Sequence, residues 1–156
     1  MPLQGKRVFF VAATLRPETM YGQTNCYVGP KIEYGAFRIN DTDVFICTER
    51  AARNFAYQGI VAERGRVECL ARIPGAALVG TQIRAPYAVH EQVYVLPMDS
   101  VLPTKGTGVV TSVPSDSPDD WANLMELRKK AEFYKIDPQW AALEPVPVIQ
   151  APGYSD

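Results

Sequence analysis

The sequence has few of the side chains that most metal sites and catalytic triads need. Among 156 residues it has one histidine, His90, and three cysteines, Cys26, Cys47 and Cys69. The cysteines lie far apart without a C-x-x-C pair, which is typical of reduced, mostly buried thiols and not of a disulfide framework or a zinc site. Any Ser-His-Asp or Cys-His mechanism would depend on His90 alone. We therefore predict no metal, no cofactor and no triad.

The sequence also lacks a strong net charge and a long apolar run. Its 16 basic and 17 acidic side chains nearly cancel, which argues against tight nucleic-acid binding through phosphate neutralisation by this chain alone. No apolar run approaches the roughly 20 residues of a membrane-spanning helix. The composition predicts a soluble chain without a membrane partner, and the length predicts a single domain over residues 1–156.

Short predicted strands outnumber predicted helices. Many strands with close turns and two helices favour an α+β, predominantly β fold, with a barrel-like core and peripheral helices. The first strand is nearly continuously apolar, so we expect it to be central in its sheet. The predicted strands are 7–13, 24–28, 36–39, 44–48, 66–73, 78–84, 92–96 and 109–113, and the predicted helices are 49–57, capped by Thr48, and 119–134. Residues 40–43, NDTD, predict a hairpin turn between two of the strands. In the second helix we expect Trp121 in the core and residues 128–130 on a solvated face.

The segment 105–120, KGTGVVTSVPSDSPDD, is the one around which the chain is organised. Gly106 and Gly108 allow the backbone to approach another segment or a ligand closely. The valine-rich run 109–113 is typical of a core strand with polar groups at one end. We expect function at the turn that follows this strand.

A helix begins at the end of the same segment. Ser117 is the predicted N-cap, Pro118 the first helical residue, and Asp119 and Asp120 follow. Two interpretations of Asp120 are open. Its carboxylate serves the free backbone N–H groups of the first turn, or it binds a ligand there.

Residues 14–22, TLRPETMYG, repeat this construction after the first strand. Pro17 takes a first helical position and Gly22 is a predicted end. Thr14 and Thr19 are turn-forming residues in one interpretation and pocket residues in the other. We expect the two turns to face one pocket.

The two segments TLRPETMYGQTNC and GTGVVTSVPSDSPDD together resemble the editing (CP1) domain of leucyl-tRNA synthetase, in its eukaryotic cytosolic form. The resemblance covers nearly the whole chain, since the strand at 92–97 and the exit EPVPVI at 144–149 also match. It implies an editing domain excised from a larger synthetase, with the predominantly β architecture predicted above. It also implies cytoplasmic localisation.

The resemblance implies a role for three residues. Asp120 binds the α-ammonium of the substrate, Thr14 lies beside the ester and the attacking water, and Thr19 obstructs the leucine side chain. Asp120 and Thr14 are thereby the predicted catalytic residues, and Thr19 sets specificity.

Four further residues are predicted to bind substrate. Thr111 and Val113, two positions apart on a strand, are expected on one face of it, and the resemblance implies that they line the pocket for the amino acid and the terminal adenosine. Arg16 contacts the tRNA 3′ end or is a solvated turn residue. Lys105 has the length to reach ribose or phosphate, but the residue at this position varies between branches of the family, so its role is left open. Leu15 departs from the threonine of bacterial relatives, so no hydroxyl role is assigned to it.

The implied activity is hydrolysis of the aminoacyl ester of mischarged tRNA-Leu carrying isoleucine, valine, methionine or norvaline. The implied partners are the tRNA-Leu 3′ end with its terminal adenosine and the remainder of the synthetase. Adducts of AMP with a boron heterocycle are the expected inhibitors. The chain has no HIGH-type or KMSKS-type motif, so ATP binding and amino-acid activation are assigned to the parent enzyme. A non-catalytic tRNA 3′-end binding module and the editing domain of the valyl or isoleucyl enzymes are the alternatives.

Overall fold

The computed structural model describes residues 3–154; the predicted domain over 1–156 also includes residues 1–2 and 155–156, which lie outside the described part. The strands are β1 (Arg7–Phe10), β2 (Asn25–Val28), β3 (Glu33–Arg38), β4 (Asp43–Cys47), β5 (Glu68–Pro74), β6 (Gln82–Arg84), β7 (Gln92–Pro97) and β8 (Val109–Ser112). The α-helices are α1 (Glu49–Tyr57), α2 (Pro118–Lys129) and α3 (Ala131–Tyr134), and 3₁₀ turns cover Pro17–Gly22, Gly75–Ala77 and Pro138–Ala141.

The chain forms two compact units. The first contains the residues up to Ala13, then Val28–Leu78 and Asp99–Val110. The second contains Thr14–Tyr27, Val79–Met98 and the chain from Thr111 onward. Whether the whole chain acts as one domain stays a prediction.

The first unit contains a four-stranded sheet in the order β1-β4-β3-β5. β1 runs parallel to β4, whereas β3 is antiparallel to both β4 and β5. The prediction that the first strand is central is wrong, because β1 is an edge strand. Its Val8 and Phe9 remain 41% and 42% exposed, and Phe9 contacts the ring of Phe45 edge to face.

The residues at the two ends of β4 correctly predict the turn that precedes this strand and the helix that follows it. Asn40 accepts hydrogen bonds at its side-chain oxygen from the N–H groups of Thr42 and Asp43, which closes the predicted hairpin turn. At the other end of β4, Thr48 accepts from the Ala51 N–H and caps α1 as predicted.

Gly108 lies where two segments of the first unit meet. Its φ is +79°, and a Cβ there would lie 2.6 Å from the Thr48 methyl group. The predicted close approach to another segment is therefore confirmed at Gly108. Gly106 also has a positive φ, +57°, but an added Cβ would meet nothing within 4 Å, so only its backbone conformation favours glycine.

The second sheet has the order β6-β7-β2-β8, which makes β2 an interior strand. β6 pairs antiparallel with β7 and is shorter than the predicted strand 78–84, because Gly75–Ala77 forms a 3₁₀ turn and the chain is extended only from Gln82. Every side chain of β2 is buried.

α2 buries one stripe of its surface in the second unit. The stripe contains Asp120, Leu124 and Leu127, at the spacing of one helical face. Trp121 lies outside this stripe and is 50% exposed, so the prediction that it belongs to the core is wrong. The predicted helix 119–134 is also divided, with α2 ending at Lys129 and α3 beginning at Ala131.

Arg128 holds the segment that leads to the carboxyl end of the chain. Its guanidinium donates to the carbonyl oxygens of Ala141, at 2.7 Å, and Leu143, at 2.9 Å, and it pairs with Glu144. The prediction that residues 128–130 form a solvated face is wrong for Arg128, because hydrogen bonds to two backbone carbonyls fix it in place.

The predicted α+β, predominantly β class is confirmed. The strands form two open four-stranded sheets, and within residues 3–154 neither sheet closes into a barrel. Among the residues that the structure describes, no helix has the length and apolar character needed to span a membrane.

Candidate active site

The turn at residues 14–22 is built around the backbone of Arg16. Thr14 Oγ1 accepts from the Arg16 N–H at 3.1 Å, and the Thr19 hydroxyl donates to the Arg16 carbonyl at 2.7 Å. Pro17 then begins the 3₁₀ turn, as its predicted first helical position requires. Both threonines therefore have the turn-forming role that was one of their two interpretations.

The hydrogen bond of Thr19 also orients its methyl group. Threonine carries its hydroxyl and methyl on the same Cβ, so a hydroxyl held by one acceptor leaves the methyl a single direction. Thr19 is half-buried, whereas Thr14 is exposed. A fixed, half-buried methyl is suited to a steric role at the wall of a pocket.

Asp120 is held at the start of α2 by its neighbours in sequence. The Ser117 side chain accepts from the Asp120 N–H at 3.3 Å, as the predicted N-cap. The Asp120 carboxylate, through Oδ2, accepts from the Val113 N–H at 2.9 Å. The carboxylate therefore closes the turn between β8 and α2, and its role toward a ligand stays a prediction.

Burial changes the acidity of Asp120, which is 8% exposed. Removal from water raises the pKa of its carboxyl, and the nearby charge of Asp119 acts in the same direction. The hydrogen bonds from Val113 and Ser117 oppose this without cancelling it. Ionisation of Asp120 at this buried position is therefore unfavourable in free energy unless a cation pairs with the carboxylate.

The two predicted segments lie side by side in the second unit. The Thr24 N–H donates to the Ser112 carbonyl at 3.1 Å. A Cβ built on Gly22 would lie 3.1 Å from Ser115 Oγ, 2.7 Å from Val148 Cγ1 and 2.8 Å from the Val146 carbonyl oxygen. The exit segment thus packs on the turn that carries Thr19, a contact that the sequence analysis did not predict.

The predicted substrate-binding residues differ in their surroundings. Thr111 is half-buried on β8, and Val113 is 5% exposed and follows the end of the strand, so the alternation of a strand does not extend to it. Arg16 and Lys105 are exposed. Lys105 belongs to the first unit, whereas the other six predicted site residues belong to the second.

A buried polar group behind Asp120 was also missed by the sequence analysis. The Tyr27 hydroxyl donates to the Asp120 carbonyl at 2.9 Å, and Tyr27 is fully buried. Asn25 and Ser112 are buried as well. Tyr27 and Asn25 lie on β2, all of whose side chains are buried, and the sequence TNCY at residues 24–27 indicates them only by its polar residue types.

The histidine and the buried cysteines of the described residues lie in different surroundings. The His90 Nε2 donates to the Glu144 carbonyl at 3.1 Å. Cys26 and Cys47 are buried, and burial raises the pKa of the Cys47 thiol to about 12, so it stays protonated at neutral pH. Across residues 3–154 no three histidine, cysteine or acidic side chains come together as metal ligands.

Comparison with known sequences gives a consistent set of relatives. No protein-family model matches the chain. It is 58% identical over 149 residues to the cytoplasmic leucine–tRNA ligase of Neurospora crassa, which covers 96% of this chain and 13% of that protein. It is 50% identical over 158 residues to the cytoplasmic leucine–tRNA ligase of Arabidopsis thaliana, which covers 99% of this chain and 14% of that protein. The chain thus spans about a seventh of the length of these relatives.

Solved structures with the same fold are editing domains. GlLeuRS-CP1 matches with a TM-score of 0.88 and 42% identity over 92% of this chain and 55% of that one. The P. falciparum cytosolic leucyl-tRNA synthetase editing domain matches with a TM-score of 0.82 and 28% identity, again over 92% of this chain and 55% of that one.

The fold and the paired turns define an editing domain of the aminoacyl-tRNA synthetases. The chain belongs to the leucyl-tRNA synthetase family, in which it corresponds to the CP1 editing domain. The predicted family is therefore confirmed. The relatives compared here are leucine enzymes, which favours that assignment over the valyl and isoleucyl alternative.

The raised pKa of Asp120 predicts a pH dependence of stability. Because the folded state holds this proton more tightly than the unfolded chain, where an aspartate titrates near about 3.9, acid favours folding at this position. The stabilisation from protonated Asp120 is fully present at a pH below the pKa of this carboxyl in the unfolded chain. It is lost as the pH rises through the pKa of the same carboxyl in the folded protein. The asparagine of Asp120→Asn does not ionise, so this variant does not lose stability at position 120 as the pH rises. We expect the free energy of unfolding of wild type to fall relative to Asp120→Asn as pH rises from about 3 to about 7.

Urea unfolding of both proteins across this range measures the difference. Asp119→Asn, which removes a charge from the same helical turn at an exposed position, supplies the general effect of losing a carboxylate. A difference between wild type and Asp120→Asn that is constant with pH, or that grows in favour of wild type, would contradict the expected sign.

Proposed function

We propose that this chain hydrolyses the aminoacyl ester of mischarged tRNA-Leu and spares tRNA carrying leucine. The observation that supports this most directly is the buried carboxylate of Asp120, in a segment whose Ser115 lies against Gly22 of the threonine-bearing turn 14–22. With Oδ2 accepting from the Val113 N–H, the carboxylate still has lone pairs on its other oxygen with which to accept from a cation. The one cation on an aminoacyl ester is its α-ammonium.

The reaction needs little chemical machinery from the protein. The oxygen of a water attacks the ester carbonyl carbon, the carbon–oxygen bond to the ribose breaks, and a proton passes to the ribose oxygen. Free amino acid and tRNA result. An ester is already reactive, so positioning the water and the carbonyl supplies much of the acceleration, and this suits a site without a nucleophile–histidine pair.

Asp120 and Thr14 have different roles in this proposal. Asp120 forms a charge-assisted hydrogen bond with the α-ammonium, which fixes the amino-acid end of the substrate. Binding the ammonium also offsets the unfavourable burial of the ionised carboxylate. Thr14, exposed and with its oxygen already accepting from Arg16, still has a hydroxyl hydrogen to donate to the ester or the water.

Thr19 supplies the specificity. One methylene in an apolar pocket discriminates by only about 1–3 kcal/mol, so a synthetic site alone admits isoleucine, valine, methionine and norvaline at low frequency. A second pocket that excludes leucine removes these errors without destroying the correct product. The Thr19 methyl, oriented by the bond to Arg16, is placed in this proposal against the leucine side chain.

The tRNA end is bound by other residues of the predicted site. Thr111 and Val113 line the pocket for the terminal adenosine and the amino acid, and Arg16 contacts the 3′ strand. Lys105, which belongs to the first unit, is assigned no role in this pocket. The near-zero net charge implies that the rest of the synthetase supplies most of the affinity for tRNA. AMP joined to a boron heterocycle through its ribose diol would occupy the same pocket. The cytoplasm is the proposed location, as the relatives' names state for those proteins.

The alternative is a module that binds the tRNA 3′ end without hydrolysis. It would retain uncharged tRNA and leave every aminoacyl ester intact. The balanced charge of the chain does not favour it, since a binding module without catalysis depends on a basic, aromatic-lined surface for its affinity.

Removal of the Asp120 side chain tests the anchoring role. In the full-length synthetase, Asp120→Ala should slow hydrolysis of isoleucyl-tRNA-Leu by about 30-fold or more, because the ammonium loses a buried partner worth about 2–5 kcal/mol. Deacylation of preformed isoleucyl-tRNA-Leu measures this. Asp119→Ala, which removes an exposed carboxylate one residue earlier, is the matched control and should hydrolyse at the wild-type rate. Normal clearance by Asp120→Ala would remove the anchoring role.

Truncation of Thr19 tests the steric role. Thr19→Ala removes the methyl group, so leucine should enter and leucyl-tRNA-Leu should be hydrolysed about tenfold faster or more, which corresponds to one excluded methylene. Thr19→Val keeps the bulk and loses only the hydroxyl, and should still spare leucyl-tRNA-Leu. An unchanged leucyl-tRNA-Leu half-life with Thr19→Ala would refute the steric exclusion.

A further inference from the structure

Three hydrogen bonds hold Asp120, and they differ in how far along the sequence the partner lies. Two are local, from the Asp120 N–H to Ser117 Oγ and from the Val113 N–H to the carboxylate. The third comes from the Tyr27 hydroxyl, 93 positions earlier in the chain, to the Asp120 carbonyl at 2.9 Å. Of these three bonds, the one from Tyr27 joins Asp120 to the partner that is most distant in sequence.

The position of Tyr27 in the sheet holds the donor of that bond in place. It is fully buried on β2, the interior strand between β7 and β8. Asn123, one turn along α2, donates its side-chain N–H to the Pro97 carbonyl at the end of β7. The first turns of α2 are thereby attached to two neighbouring strands of the second sheet, and Tyr27 makes the attachment at Asp120 itself.

The environment keeps the Tyr27 hydroxyl protonated. Burial raises the pKa of this phenol, and the negative charge of Asp120 acts in the same direction, while the nearby polar side chains of Asn123, Ser112 and Asn25 oppose it. The hydroxyl is therefore a donor at neutral pH. A carbonyl can only accept, so the sense of the bond to Asp120 is fixed.

The orientation of the Asp120 carboxylate determines how well it can bind an ammonium. Oδ2 is occupied by the Val113 N–H, so one oxygen serves the ammonium. A charge-assisted hydrogen bond weakens when donor and acceptor are misaligned. Rotation of the first turn of α2 would turn the free oxygen away from the ligand, although the buried charge would remain.

We propose that Tyr27 is a positioning residue for the ammonium anchor: its hydroxyl, through the Asp120 carbonyl, sets the direction of the free carboxylate oxygen. This inference rests on the proposed function. It assigns to a residue of β2, remote in sequence from both predicted segments, a part in recognising the aminoacyl group. Tyr27 does not touch the substrate in this account.

Two ligands that differ only in the amine test the proposal. One is adenosine carrying isoleucine on a 3′-amide, which does not hydrolyse, and the other is the 3-methylpentanoyl amide, which lacks the α-amine. Titration calorimetry with the chain gives the ratio of their affinities. Tyr27→Phe keeps the ring and loses the hydroxyl, and should lower this ratio about threefold or more, as expected for one misdirected hydrogen bond.

Tyr34→Phe is the matched control. Tyr34 is also a buried tyrosine, and its hydroxyl accepts from the Gly29 N–H and donates to the Gly108 carbonyl within the first unit. Its loss costs stability of the same kind but should leave the affinity ratio at the wild-type value. Urea unfolding of each variant confirms that the protein is folded under the conditions of the titration.

Each outcome has one meaning. A wild-type protein that binds both ligands equally contradicts the proposed anchoring function itself. A wild-type preference for the amine that Tyr27→Phe retains in full overturns the positioning role and leaves the anchoring function intact. Equal losses of the ratio in Tyr27→Phe and Tyr34→Phe would also overturn it, because the effect would then follow from general destabilisation.

Discussion

The hydrogen bond from the Val113 N–H to the Asp120 carboxylate is the interaction on which the candidate site depends. It closes the turn between β8 and α2 at 2.9 Å, and it withdraws the carboxylate from water. The same contact therefore has a structural and a functional consequence. It fixes the helix start, and it holds the carboxylate at a buried position, where desolvation raises the pKa of the carboxyl although the bond itself favours the ionised form. A cation that approaches the carboxylate offsets the cost of this burial. A ligand ammonium is the cation that the proposed substrate carries.

The second sheet holds both halves of the site. β8 leads into the Asp120 turn, while β2 follows the 3₁₀ turn that carries Thr19, and Thr24 and Ser112 join the two by a backbone hydrogen bond. The exit segment packs on Gly22 and is held in turn by Arg128. Displacement of the exit segment would disturb the turn of Thr19, so the path of the chain out of this domain is part of the site's construction.

The sequence predicts the features that depend on neighbours in sequence. Ser117, Thr48 and Asn40 act within a few residues, and the structure confirms their caps and turn. Features that depend on partners far along the chain were missed. An apolar run does not distinguish the edge strand β1 from a central strand, and a basic triplet does not show that Arg128 meets two distant carbonyls. Trp121 lies outside the core because the buried stripe of α2 contains its neighbour Asp120 and continues along a different helical face. Tyr27 was missed because its partner lies 93 positions away.

The strongest test of Asp120 as the ammonium anchor is a structure of the chain bound to the non-hydrolysable isoleucyl-adenosine amide. The measured quantity is the distance from the ligand's α-ammonium nitrogen to the nearer Asp120 carboxylate oxygen. The account predicts a charge-assisted hydrogen bond of about 2.7–2.9 Å, with the Val113 N–H still bound to the other oxygen. An ammonium that meets a different group, or a carboxylate occupied only by backbone, would contradict it.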